Sequence, residues 1–180
     1  MNTVITDQEL KRREALHRQF IDEIAALKDQ LVHLVVFDLS GRSFAIEISK
    51  IHEVVKTPAI TPMPKMPSYI PGIGKIRGNS ILLLDLSGKL GMENPETLSG
   101  RMEYTVVVSS GRFTIGILTP TVPTTKKISG SHIQPTGIDL AGTPEDETYI
   151  KGLIHDEDQQ HFFIDIDELI EGDRMTARTQ

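Results

Sequence analysis

Three groups of residues have types and spacings that suit chemistry. The first lies in YIPGIGKIRGNSILLLDLSGKLG, residues 69–91, where Lys75 and Arg77 stand among Gly72, Gly74 and Gly78 directly before four aliphatic residues. Glycines beside a cation are how a backbone cradles phosphate. A Walker-type loop needs a Ser or Thr after its Gly-Lys pair and a helix beyond; here Ile76 follows Gly74-Lys75, and Ile81–Leu84 reads as a buried strand. The dinucleotide fingerprint fails as well, because its third glycine is misplaced and no strand, turn and helix surround it. The glycines therefore read as turn formers, with Gly78-Asn79 at the turn of a hairpin. Arg77 precedes that turn, with no evident carboxylate neighbour. A solvated arginine is one reading; a rigid donor fork offered to a flat protein contact is the other.

The second group is HDEDQQH, residues 155–161, with two histidines and three acids. Its spacing matches neither a zinc helix nor a calcium loop, and it sits between two strands, where a polar hairpin tip is ordinary. Asp165 and Asp167 stand near the start of a short helix, where capping is the simpler role. The third group is the serines. Ser80, Ser87 and Ser99 fall in turns, no G-x-S-x-G elbow occurs, and the chain has no cysteine. That absence removes thiolate nucleophiles, disulfides and cysteine-bound metals. We expect no catalytic residue, no metal and no cofactor.

The charge balance narrows the ligand class. A formal net charge of −6, with basic clusters only at Lys11-Arg12-Arg13 and Lys126-Lys127, disfavours a nucleic-acid binder, because polyanion affinity needs clustered cations that release counterions. The alternative that remains is a small β-barrel holding an anionic ligand or single-stranded nucleic acid through Lys75, Arg77, Lys126 and Lys127, although aromatic residues for base stacking are scarce. The N-terminus lacks the apolar core of a signal peptide and no apolar run is long enough to span a bilayer, so we expect a cytoplasmic protein without membrane insertion.

The elements that must position these residues follow from periodicity. Leu16, Phe20, Ile24, Leu27 and Leu31 recur at helical steps, Thr6 with Glu9 fits a capping box, and Ile5 with Leu10 fits a hydrophobic staple; a helix is predicted over about residues 7–29. Its stripe is expected to pack on its own domain, with self-association through the helix as the alternative. Strands then take over. LVHLVVFDL and SFAIEI form a hairpin across Gly41, ISKIHEVV offers one helical turn, and the five prolines between residues 58 and 71 require an ordered, extended connection anchored by Ile60, Met63, Met66 and Ile70. GIGKIR with ILLLDL, EYTVVV with RFTIGIL, and YIKGLI with QHFFIDI make further hairpins, while residues 119–148 read as turn-rich. DIDELIEG closes with a short helix ending at Gly172, and no repeat stands out. Eight or nine short strands behind one helix predict a mainly β protein built as small barrels: a helix over 1–30, a β domain over 31–172 and a frayed tail over 173–180.

The order LVVFDLSGRSFAIEISKIHEVV, a proline-bearing connection, then G-x-x-x-x-R-G followed by D-L at Asp85-Leu86, resembles the CheW family of chemotaxis coupling proteins. The resemblance runs over residues 31–172 and is most specific from Gly72 to Leu86. It implies two intertwined five-stranded barrels of the SH3 type, with no catalysis and no cofactor. It also implies an adaptor between the cytoplasmic tip of a chemoreceptor and the regulatory domain of the histidine kinase CheA. Arg77 would then lie in a receptor-facing groove, supported by Gly72 and Gly78 with Ile51 nearby, and Ile48 and Glu53 would contact the kinase. The sequence departs from the family at Lys75, where asparagine is common, and at TPTVPTTKKIS, which replaces a more acidic and aliphatic stretch.

Overall fold

The computed structural model describes residues 6–92, 101–136 and 148–171. Helix α1 (Asp7–Leu27) begins at the expected Thr6 cap, with the Glu9 backbone N–H donating to Thr6 Oγ1 at 3.3 Å, while the Glu9 carboxylate meets Arg13 at 3.4 Å. It ends two residues before the predicted limit because the Gln30 N–H turns back to the Leu27 carbonyl at 2.9 Å, tightening the last turn into the first strand. Leu10 is exposed, and its expected staple partner Ile5 lies outside the described residues.

Among the described residues twelve strands follow: β1 (Leu31–Leu39), β2 (Arg42–Glu47), β3 (Ile51–Lys56), β4 (Ile60–Thr61), β5 (Gly72–Ile76), β6 (Asn79–Leu84), β7 (Tyr104–Ser110), β8 (Phe113–Thr119), β9 (Thr124–Ser129), β10 (Ile133–Pro135), β11 (Ile150–Asp156) and β12 (Gln159–Ile164). Two short helices, α2 (Leu86–Lys89) and α3 (residues 166–171), and two single 3-10 turns, Ile48–Lys50 and Gly130–His132, fill the connections. The strands form two sheets of order β10-β11-β12-β2-β1-β9 and β3-β7-β8-β6-β5-β4. Each is five strands plus one very short edge strand, and they curl into the two interlocked barrels that the resemblance implies.

How the barrels interlock follows from which hairpin goes where. The hairpin β1–β2 joins β11–β12 through the parallel pair β2 and β12, and β7–β8 joins β5–β6 through the parallel pair β8 and β6. Each half of the chain thus gives one hairpin to each barrel. The halves also repeat: Tyr69 and Asp85 are spaced as Tyr149 and Asp165 are, and in both the Asp N–H donates to the Tyr carbonyl, at 2.8 and 2.7 Å, just before a short helix. Between the barrels lies the main core, where Phe44, Leu83, Val108, Ile117 and Leu169 are nearly inaccessible.

Helix α1 closes one end of the first barrel. Phe20 and Ile24 are buried, and Ile24 joins Val32, Leu34, Ile133 and Phe163 inside it. Burial of two such side chains contributes on the order of 1.5–3 kcal/mol each. Gly130 and Gly152 make the approach feasible: a Cβ on Gly130 would overlap the Leu27 carbonyl, and one on Gly152 would come within 3.0 Å of Ile24 Cδ1. Ion pairs fix the helix in place. Arg12 meets the buried Glu168 of α3 at 2.7 Å, and Lys151 lies 3.6 Å from both Glu23 and Asp165. Of the predicted stripe, Phe20 and Ile24 are buried within the chain and Leu27 packs partly buried beside them, whereas Leu31 opens β1 and is exposed.

The proline passage is ordered, since β4 pairs with β5 and the Pro58 ring covers Gly74, but of its four expected anchors Ile70 is buried and Met66 packs on the core, whereas Ile60 and Met63 are exposed. The turn-rich reading of residues 119–148 is corrected where the chain is described. TTKKIS is strand β9, paired along β1 from Leu31↔Ser129 to Val36↔Thr124. It is an edge strand in which only Ile128 is buried, so no apolar alternation announces it. Likewise ISKIHEVV is one 3-10 turn followed by β3, rather than a helical turn throughout.

Candidate functional site

Residues Arg77 and Gly78 are themselves the two-residue turn between β5 and β6, because Ile76 pairs with Asn79. This corrects the expected turn at Gly78-Asn79. Both residues have left-handed backbone, φ 50° and 81°, as a type I′ turn demands. For Gly78 that is costless, whereas for an arginine it is a strained position at the tip of the hairpin. The Arg77 side chain is 77% exposed and its Nε donates to Glu53 Oε2 at 2.7 Å. The carboxylate neighbour that the sequence did not reveal is thus on β3, in the other segment singled out for partner binding. Among the described residues the Nη groups of Arg77 make no hydrogen bond, so the outer fork stays available.

A β-bulge aims Glu53 at this turn. Ile51 pairs with Val108 but Glu53 pairs with Val107, so two residues of β3 oppose one step of β7 at His52. Directly opposed residues share a face. Ile51 therefore turns with Val108 toward the core between the barrels, while Glu53 turns with Val107 toward the inside of the second barrel, where Val55, Ile76 and Ile81 pack. Val54 lies opposite Val106, on the face of Ile51, yet is 41% exposed at the sheet edge. Ile48 is 44% exposed on the 3-10 turn before β3. One strand thus turns a carboxylate toward Arg77 on one face and apolar residues on the other.

Gly72 does not belong to this surface. It is buried at the opposite end of β5, with φ 153°, and a Cβ there would overlap the Thr61 carbonyl, so its role is to let β4 approach. The four cations of the anionic-ligand reading are likewise dispersed. Lys75 and the Arg77 turn belong to the second barrel, whereas Lys126 and Lys127 are successive residues of β9 in the first, on opposite strand faces. Lys126 is engaged by Asp156 at 2.6 Å.

The remaining candidates resolve into structural contacts. Among the described residues no group of three or more His, Asp or Glu could hold a metal ion. In HDEDQQH, His155 lies 3.3 Å from the Gln134 side chain on an exposed surface, while His161 is buried. Asp165 caps α3, its Oδ1 accepting the Glu168 N–H at 2.8 Å, and burial pushes its carboxyl up. Asp167 pairs with Lys50 at 3.0 Å. Asp85 occupies the N-cap position of α2 without a side-chain cap bond, and Ser87 is fully buried. Ser99 and the predicted stop at Gly172 lie outside the described residues.

Residues 33–174 match the family model of the CheW-like domain. The chain belongs to the CheW-like family. A "Chemotaxis protein CheW" of Rhizobium meliloti is 25% identical over 145 residues, covering 80% of this chain and 90% of that one. The CheW of Thermotoga maritima is 25% identical over 147 residues, covering 81% and 91%. "Protein PilI" of Pseudomonas aeruginosa is 32% identical over 57 residues, a shorter stretch that covers 32% of each chain. The crystal structure of the scaffolding protein TtCheW from Thermoanaerobacter tengcongensis superposes with a TM-score of 0.69 at 24% identity, covering 79% of this chain and 94% of that one. The CheW-like fold therefore extends over both barrels, and α1 precedes the matched region. Among the described residues no helix is long and apolar enough to cross a membrane.

Proposed function

We propose that this protein is a non-enzymatic, cytoplasmic adaptor that links the tip of a chemoreceptor to the regulatory domain of a CheA-type histidine kinase. The relatives named as chemotaxis and scaffolding proteins support that reading. The observation that carries it is the Arg77–Glu53 bond, which joins the hairpin turn to the edge strand and leaves the outer guanidinium fork free. A rigid fork on one face of the edge strand β3, with exposed Val54 and half-buried Ile51 on the other, suits a protein contact that covers that edge. Arg77, Gly78 and Ile51 form the receptor side of the proposal, and Ile48 carries the kinase side. Glu53, assigned by resemblance to the kinase side, acts first through Arg77. Gly72 contributes by shaping the hairpin.

The test is phosphate incorporation into the kinase in receptor-containing membranes, with and without the purified protein. Receptor control of the kinase is expected to require the protein, to fall with Arg77→Ala, and to fall less with Glu53→Gln. Ile48→Ser is expected to weaken kinase capture while receptor capture persists. Unchanged kinase control with Arg77→Ala would remove the hairpin turn from the mechanism.

A further inference from the structure

At the end of the first barrel away from α1, five strands direct polar side chains inward. Asp38 pairs with Ser43 across β1 and β2, Ser43 with His161 across the parallel β2 and β12, and His161 with Ile154 of β11, two residues before Asp156. Lys126 enters from β9 opposite the buried Leu34. The His161 ring is 1% exposed. Its Nδ1 lies 2.6 Å from Ser43 Oγ, while its Nε2 has no hydrogen-bond partner among the described residues and faces Asp156 Oδ2 at 3.8 Å. That oxygen is already held by Lys126 Nζ at 2.6 Å.

A buried ring nitrogen left without a partner is costly, and the gap to Asp156 exceeds a charge-assisted hydrogen bond by only about 1 Å. A lone pair on Nε2 would be repelled by the carboxylate. The neutral ring therefore carries its proton on Nε2, and Nδ1 accepts from the Ser43 hydroxyl. A second proton can only enter at Nδ1, whereupon Nδ1–H donates and Ser43 Oγ must turn to accept.

We propose that His161 is a proton-operated latch on the open end of the first barrel: neutral, it leaves Asp156 to Lys126 and the β11–β12 turn closed, and protonated, it draws Asp156 onto Nε2 and loosens Lys126. The charges facing the ring make the exchange feasible. Asp38 of β1, Asp156 of β11 and Lys126 of β9 sum to one net negative charge, which an imidazolium cancels. Arg42, the other charge of β2 at this end, lies over Phe162, the neighbour of His161 in sequence. Burial and Lys126 hold the His161 pKa below its ordinary value against the pull of Asp156 and Asp38, so the latch responds on the acid side of neutrality. The hydrogen bond from Lys126 holds the Asp156 carboxyl low, so Asp156 remains a carboxylate when the ring titrates. The element that moves is the tip at Glu157, whose left-handed φ of 50° makes it a strained turn next to Asp156, which has Lys126 and His161 as its neighbours.

The test is heteronuclear NMR of the histidine rings of the full chain from alkaline to acid pH. The expected result is an Nε2–H tautomer for His161 and a midpoint below the ordinary value of about 6.5. The Lys126 ammonium, the Asp156 carboxyl and the Glu157 amide should move at the same midpoint. Lys126→Met should raise the proton affinity of His161 roughly threefold or more, and Asp156→Asn should lower it, as removal of a neighbouring cation or anion requires. These two variants keep the test decisive even where His161→Gln fails to fold. An Nδ1–H tautomer, a Glu157 amide that ignores the His161 titration, or a midpoint that Lys126→Met lowers or leaves in place would each overturn the latch.

Discussion

Arg77→Gly should separate the two roles that a turn residue can have. Holding a non-glycine residue in the left-handed region costs roughly 1–2 kcal/mol, which glycine relieves. Against this stand the greater freedom of glycine in the unfolded chain, about 0.4–1 kcal/mol, and loss of an exposed ion pair, about 0.2–1 kcal/mol. Glu53, 23% exposed, can be hydrated when its partner leaves. The net change is within about 1 kcal/mol of zero, or at most roughly 2–4 °C in Tm for a chain of this size. Arg77→Ala keeps the strained backbone and loses the pair, so it should be less stable than Arg77→Gly. Both should lose receptor control of the kinase, by roughly 30-fold or more in apparent affinity if the arginine anchors the contact at about 2 kcal/mol. Urea unfolding and the membrane phosphorylation assay, run on the same preparations, read the two quantities. A loss of more than about 2 kcal/mol with Arg77→Gly would make the arginine structural. Full kinase control by the same variant would refute the interface.

Three further outcomes follow from the contacts. Gly130→Ala should detach α1 from the first barrel, because the new Cβ overlaps the Leu27 carbonyl; hydrogen exchange should rise along α1 first. Ile24→Ala should cost roughly 2–5 kcal/mol in urea unfolding through the cavity left between α1 and the barrel. Burial would raise the Asp167 carboxyl, but hydrogen bonds from Ser110 and Lys50 outweigh it and hold the group below its usual range. Its contribution is thus present above the unfolded carboxylate pKa and is lost as pH falls through the lower folded one. Asp167→Asn should therefore flatten the acid limb of the stability profile.

What was legible in the sequence was whatever depends on local pattern. The period of α1, its Thr6 cap and four hairpins are readable because burial on one face imposes alternation on nearby residues. Strand β9 was not readable, because an edge strand of Thr and Lys that buries one residue leaves almost no alternation to detect. The turn at Arg77-Gly78 lies one position from where propensity puts it, for a different reason. Arg-Gly is a poor type I′ pair by propensity, and Gly-Asn looked better; the tertiary bond to Glu53 helps hold the arginine in place. No window of sequence around Arg77 contains Glu53, and none around Glu53 reveals the bulge that turns it.

The same limit hides the repeat of the two halves in the sequence. Tyr69 to Asp85 and Tyr149 to Asp165 share the Tyr–Asp backbone bond, a Tyr-Ile-x-Gly start and an apolar end, but the residues around their turns differ, because each hairpin serves a different barrel. The turn at Arg77 has its counterpart at Glu157, with the same φ of 50° and the opposite charge. Opposite charge implies opposite wiring: Arg77 reaches across its barrel mouth to Glu53, whereas beside Glu157 it is Asp156 that reaches to Lys126. Among the described residues, one end of each barrel thus carries an ion pair between a hairpin and a strand at the edge of its sheet. The pair in the second barrel is exposed and leaves a cationic fork outside; the pair in the first is half-buried against a histidine. The fold supplies the equivalence, and a handful of side chains makes one mouth a candidate docking surface and the other a candidate switch.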